Sequence, residues 1–170
     1  MFARRGLRKS REGNTLVEFA LLAPIFFMIV TGLIEFVLYE YKSYALDHVV
    51  YEATRNLQTG EVQQSEDMGE AFNSAACEAA RTLINCNDIV FDVRSYDSIA
   101  DIDFPPVVFD ENGRPANFVF QPGGAYKYSV VRAALEYQFV TPMMGKLLGV
   151  TRESPAIINA YYVVRNEPWN

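Results

Sequence analysis

From Phe19 to Ile34 the chain reads FALLAPIFFMIVTGLI, sixteen residues without a charge, bounded by Glu18 and Glu35. Counted from Thr15 to Leu38, the segment is about 36 Å long as a helix at roughly 1.5 Å per residue. That is enough to cross a hydrocarbon core of roughly 30 Å. Lipid offers no partner to backbone N–H and C=O groups, so such a segment folds as a helix. The charges fall unevenly around it. Before Asn14 stand five basic residues (Arg4, Arg5, Arg8, Lys9, Arg11) and one acid, Glu12, whereas the rest of the chain holds ten basic and twenty acidic side chains. A basic flank ahead of the span keeps the N-terminus in the cytoplasm and sends the acidic body across the membrane, in a bacterium to the periplasm.

The rest of the composition mainly excludes. A chain of 170 residues, half of them hydrophobic, has the size and apolar content for one compact domain and is too apolar for disorder. A net charge of −6 argues against a nucleic-acid partner. One His and two Cys supply no zinc finger, no His-based metal cage and no Cys/His dyad. The chain has no nucleotide loop, nucleophile elbow or metal-binding pair, so neither catalysis, a cofactor nor a small-molecule substrate is expected. Asp97, Asp101, Asp103 and Asp110 lack the spacing of a calcium loop and read as a solvated acidic segment. A removable secretory signal is the rival to a permanent anchor, since Ser43-Tyr44-Ala45 offers a small-x-small pattern. Four residues, Tyr39 to Lys42, separate it from an apolar run longer than the usual signal core, so the anchor is preferred.

The cytoplasmic edge of the span carries a more specific pattern. Gly13-Asn14-Thr15-Leu16-Val17-Glu18-Phe19 has a basic leader, a glycine before a cut site, and a glutamate at the fifth position after it, opening an apolar helix. This layout is similar to a type IV prepilin processing site. The longer string, Glu12 through Ala23-Pro24, with Glu18-Phe19-Ala20-Leu21-Leu22, resembles the TadE-like minor pseudopilins of the tight-adherence (Tad/Flp) pilus systems. Gly32 with Ile34-Glu35-Phe36, and more loosely Val163 to Pro168, are also similar to that family; the main resemblance covers residues 11 to 55. The resemblance implies cleavage between Gly13 and Asn14 by a prepilin peptidase. It implies as partners the major Flp pilin, other Tad pseudopilins and the inner-membrane assembly platform. A first mature residue of Asn14, where type IVa pilins commonly have phenylalanine, fits the Tad group better than type IVa.

Each position has a physical reason. Glycine before the scissile bond lets the backbone fit closely into a protease groove. Glu18 heads an apolar helix, where a carboxylate is protonated, snorkelled or paired. The family resemblance implies a pairing with the new N-terminal amine of a neighbouring subunit. The alternative is that Glu18 marks the interface and favours the positive end of its own helix. Glu35, at the far boundary, reads as a snorkelled interfacial residue. Pro24 removes one backbone donor, so a kink is expected, either as a flexible point for extraction and packing or as an accommodated feature without a role.

Beyond the span, Val37 to about Leu57 contains no Pro or Gly. Tyr41, Ala45, Val49 and Ala53 recur every fourth residue, flanked by Tyr44 and His48, so one long helix over 14–57 continues onto the exported domain. His48 reads as a packing residue on that stripe, with a satisfied ring nitrogen. A second helix begins near Ser65 as its cap and ends near Ile84-Asn85, with Met68, Phe72, Ala75, Ala79 and Leu83 on its apolar face. Cys77 and Cys86, the only two cysteines of an exported domain, suggest one disulfide; two buried thiols are the alternative. Strands are expected at Ile89–Val93, at Val107–Phe109 and Asn117–Phe120 around an Asn112-Gly113 hairpin signal, at Ala125–Phe139, and at Ala156–Arg165, with a helical turn at Pro142–Leu148.

The expectation is therefore an α+β, pilin-like chain. It has a leader over 1–13, a helix over 14–57 spanning the membrane at about 15–38, and an exported domain over 58–170 with a second helix and an antiparallel sheet. Its expected role is that of a minor pseudopilin in assembly of an adhesive Tad-type pilus, anchored in the inner membrane by a single pass. Two readings compete with it: an uncleaved, membrane-anchored periplasmic binding or adhesion domain, and a minor pseudopilin of a type II secretion system.

Overall fold

A computed structural model describes residues 12–111, 114–151 and 155–169, so the basic leader before residue 12 and the Asn112-Gly113 turn lie outside the described residues. Helix α1, Glu12–Thr59, runs 48 residues and continues through Pro24 without interruption. Helix α2 is Met68–Ala80. Three strands follow, β1 (Ile89–Tyr96), β2 (Tyr128–Glu136) and β3 (Ile157–Arg165), with a short helix α3 (Pro142–Leu147) between the last two. They form one antiparallel sheet in the order β1-β2-β3. This is the α+β plan expected from the sequence: long helix, second helix, antiparallel sheet.

The two halves of α1 have different surroundings. Its apolar first half is exposed almost throughout, with Leu16, Phe19, Leu22, Ile25, Phe26, Ile29 and Leu33 open. Its second half is the spine of the C-terminal domain, burying Ala45, Leu46, Val49, Val50, Ala53 and Leu57. These positions form one helical stripe. The stripe meets Phe72, Ala76 and Ala80 of α2 and Val93, Val131, Ala133, Leu135, Ile158 and Ala160 of the sheet in a single core. At about 25 cal/mol per Å² of apolar area, this burial is the main term holding the domain together. The expected stripe was rotated: Tyr44 and His48 are exposed, facing a shallow depression shared with Tyr51, Tyr161 and Tyr162. Leu46 and Val50 bring more aliphatic area to the core than His48 could, so the helix turns that side inward.

Strand β2 is buried on both faces. Val131, Ala133 and Leu135 meet the helices, while Val130, Arg132 and Ala134 alternate with them on the other side. On that side Arg132 donates to Asp92 Oδ2 at 2.7 Å and to the Pro105 carbonyl at 2.7 Å, and lies over the Phe118 ring. Asp92, directly opposite Arg132 in the β1–β2 register, also accepts from Arg94 Nε and from the Val119 N–H. This buried pair ties the segment between β1 and β2 onto the sheet.

Other boundaries also differ from the sequence reading. Asp67, not Ser65, caps α2 by accepting from the Glu70 N–H at 2.9 Å, and Ser65 donates to the Val62 carbonyl instead. The helix ends at Ala80, its buried face carried by Phe72, Ala76 and Ala80, while Met68 is exposed and Leu83 lies beyond the helix. Val107–Phe109 and Asn117–Phe120 form no named strands, only the isolated bridges Phe109–Pro115 and Val93–Phe120. The Asn117 side chain takes the place of a ladder, accepting from the Val108 N–H and donating to the Pro106 carbonyl. Proline at 105, 106 and 115 removes three backbone donors from the same segment. Strand β2 starts at Tyr128 because Tyr126 has a φ of 65°, outside the extended region.

The sulfurs of Cys77 and Cys86 are bonded, their Cα atoms 5.1 Å apart, joining α2 to the turn Cys86–Asp88 ahead of β1. At the far end of α1, Gly60 has a φ of 84° and the Trp169 ring lies where a Cβ would stand. The Glu167 N–H donates to the Gln58 carbonyl, so the C-terminal tail closes over the end of α1.

Candidate functional site

The residues singled out from the sequence do not converge. Gly13 and Asn14 lie in the first turns of α1, with their side chains outside the description. Glu18, Phe19 and Pro24 follow along the same helix and are exposed. Cys77 and Cys86 belong to the C-terminal domain. What these elements form is a surface: a continuous apolar half-helix with little of the domain packed on it. A helix apolar all round is stable only when lipid or other apolar helices cover it. That nearly all of it is exposed separates it from the core helix of a soluble protein. By length and composition it can cross a membrane, which fits a single-pass membrane protein.

The polar centre of this surface is Glu35, and the sequence reading misplaced it. Glu35 is 3% exposed and does not reach toward solvent. Its Oε1 accepts from the Tyr137 hydroxyl at 2.6 Å and from the Val140 N–H at 3.1 Å. Its Oε2 accepts from the Thr141 N–H at 2.9 Å and from the Thr141 hydroxyl. Four donors on two oxygens satisfy a carboxylate that would be costly at the end of an apolar span. The Tyr137 hydroxyl also lies 3.3 Å from the Glu35 carbonyl.

The donors are well placed by their elements. Tyr137 follows the last residue of β2, and its ring packs edge-on against Tyr39 and Phe139, with Lys42 Nζ 5.2 Å from the ring centroid. Thr141 is the N-cap of α3 but makes no side-chain cap bond, its hydroxyl being spent on Glu35. Burial, then the bonded and charged Glu35 carboxylate, push the Tyr137 phenol above its ordinary range. The group is a latch that fixes the C-terminal domain to α1 where the apolar run ends. The signal available in the sequence was its cost: a Glu at that depth needs a partner. The partners, more than a hundred residues away, were not readable.

Among the described residues, no group of three or more His, Cys, Asp or Glu is placed to hold a metal ion. No curated protein and no solved structure matches the chain. Residues 13–55 match the model of the family described as TadE-like protein, a segment that runs from the start of the apolar half, through the latch at Glu35, to the buried stripe. Over this segment the chain is similar to that family, which is associated with Tad pili and is not an enzyme family.

Proposed function

We propose that the protein is a minor pseudopilin of a Tad-type pilus, cleaved between Gly13 and Asn14 by a prepilin peptidase and then assembled with the major Flp pilin, companion pseudopilins and the inner-membrane platform. Its N-terminus lies in the cytoplasm and its C-terminal domain in the periplasm, following the basic flank ahead of the span. The observation that carries this reading is the division of α1 into an exposed apolar half and a buried half that is the spine of a domain. Such a helix has to be covered, by lipid before assembly and by other pilin helices after it. The work is assembly rather than catalysis: the apolar half exchanges one apolar environment for another while the domain docks on its neighbours. The TadE-like match over the same helix supports the pilus assignment. Glu18 is assigned the role of pairing with the free amine of Asn14 on an adjacent subunit, and Pro24 that of a flexible point for extraction.

The test is the N-terminal sequence of the protein isolated from its native membranes, with and without the cognate prepilin peptidase. A start at Asn14 that requires the peptidase is the expected result. An intact leader in both cases would overturn the pilin reading in favour of a simple anchored domain. A start at Leu46 would mean that the apolar segment is a removed signal.

A further inference from the structure

Beyond the latch, the connection from β2 to β3 carries apolar side chains that nothing among the described residues covers. Val140 and Leu147 are each 71% exposed and Leu148 is 60% exposed, with Lys146 also open beside them. The segment is held firmly. The Val140 and Thr141 N–H groups are bonded to Glu35, and α3 rests on the Phe139 ring, which lies 3.4 Å from where a Cβ on Gly145 would stand. The tight turn after α3 uses Gly149 at a φ of 71°. These bonds fix its height along α1. Glu35 is one helical turn short of Leu38, and at its level Leu33, Ile34, Phe36 and Val37 remain exposed on the other faces of α1.

We infer that α3 with its flanking residues Val140, Leu147 and Leu148 is a foot that rests in the bilayer interface, with the lipid itself as its partner. The inference rests on the reading of α1 as a membrane span. Where that helix crosses a bilayer, a segment bonded to its last apolar turn lies at the boundary of the hydrocarbon before any protein partner arrives. Its apolar side chains then enter the acyl boundary, as those of interfacial helices do, and Lys146 meets the phosphate headgroups. The foot also lowers the cost of Glu35 near the hydrocarbon, because it brings the Val140 and Thr141 donors to the carboxylate at that depth.

The full chain, with Cys77 and Cys86 kept bonded, is labelled with an environment-sensitive fluorophore at Leu147→Cys, at Ile29→Cys in the apolar half, or at Glu66→Cys near the far end of α1. Each is reconstituted in phosphatidylcholine–phosphatidylglycerol vesicles carrying a spin label either at the headgroup or deep in the acyl chain. All three positions are exposed, so the substitutions leave the core intact. The expected result is loss of emission at 29 with the deep quencher, at 147 with the headgroup quencher, and at 66 with neither. Quenching at 29 without quenching at 147 would overturn the foot and leave the span standing. A blue-shifted but unquenched label at 147 would also overturn it, assigning the patch to a protein contact. No quenching at 29 would overturn the span, and the foot with it.

Discussion

Glu35 and Tyr137 make a pair whose chemistry is asymmetric. The phenol donates and the carboxylate only accepts, so removing either hydroxyl or carboxylate leaves a buried polar group short of a partner. Tyr137→Phe is expected to lower the unfolding free energy of the C-terminal domain by about 1.5–3 kcal/mol, the range for a hydrogen bond to a charged group. Trp169 fluorescence in a denaturant titration of the full chain in detergent reads the effect. The same residue carries a pH prediction. Its phenol is held above the ordinary value of about 10 by burial and by Glu35. A raised folded value gives stability that is complete below the unfolded value and disappears as pH rises through the folded one. The domain should therefore lose stability above about pH 10, and Tyr137→Phe should flatten that loss. Equal alkaline slopes in both proteins would remove the phenol from the explanation. At this scale the sequence disclosed the difficulty and not its solution. Glu35 was visibly a charge at the end of an apolar run, but its partners are set by tertiary folding alone.

Periodicity located α1 but assigned its inward side imperfectly. A four-residue step through Ala45, Val49 and Ala53 is correct, and these are buried. The edges of the stripe were decided by which neighbour offers more aliphatic area, Leu46 and Val50 on one side or Tyr44 and His48 on the other. Leu46→Ala is expected to cost about 2–5 kcal/mol, whereas His48→Ala, an exposed change, should stay within about 0.5 kcal/mol. Near-equal midpoints for the two variants in the same denaturant series would contradict the stripe described. Strands were legible where β-branched and aromatic residues alternate over a sustained stretch, as in β1 and β3, and in the middle of Ala125–Phe139. They were not legible between residues 104 and 120, where Val107–Phe109 and Asn117–Phe120 look like strands in isolation. There the Asn117 amide and the Asp92 carboxylate take backbone partners that a ladder would otherwise supply.

Two covalent and topological ties hold the whole molecule. The Cys77–Cys86 bond closes a short loop between α2 and the start of β1. Chain-entropy reasoning gives it up to about 3 kcal/mol. Reduction is expected to lower the denaturation midpoint while leaving a folded domain, since Phe72, Ala76 and Ala80 already anchor α2 to the core. Circular dichroism with and without reductant checks this, and collapse of the helical signal on reduction would show α2 to depend on the bond. The other tie is α1 itself. It passes from the apolar half into the core with no linker, and it is fastened to the sheet's extension at Glu35 before the stripe begins. In mechanical terms the protein is a single lever and not a bead on a tether. A tilt, rotation or pull applied to the span on the domain side of Pro24 is passed on to the domain, and the load falls first on four hydrogen bonds at one carboxylate.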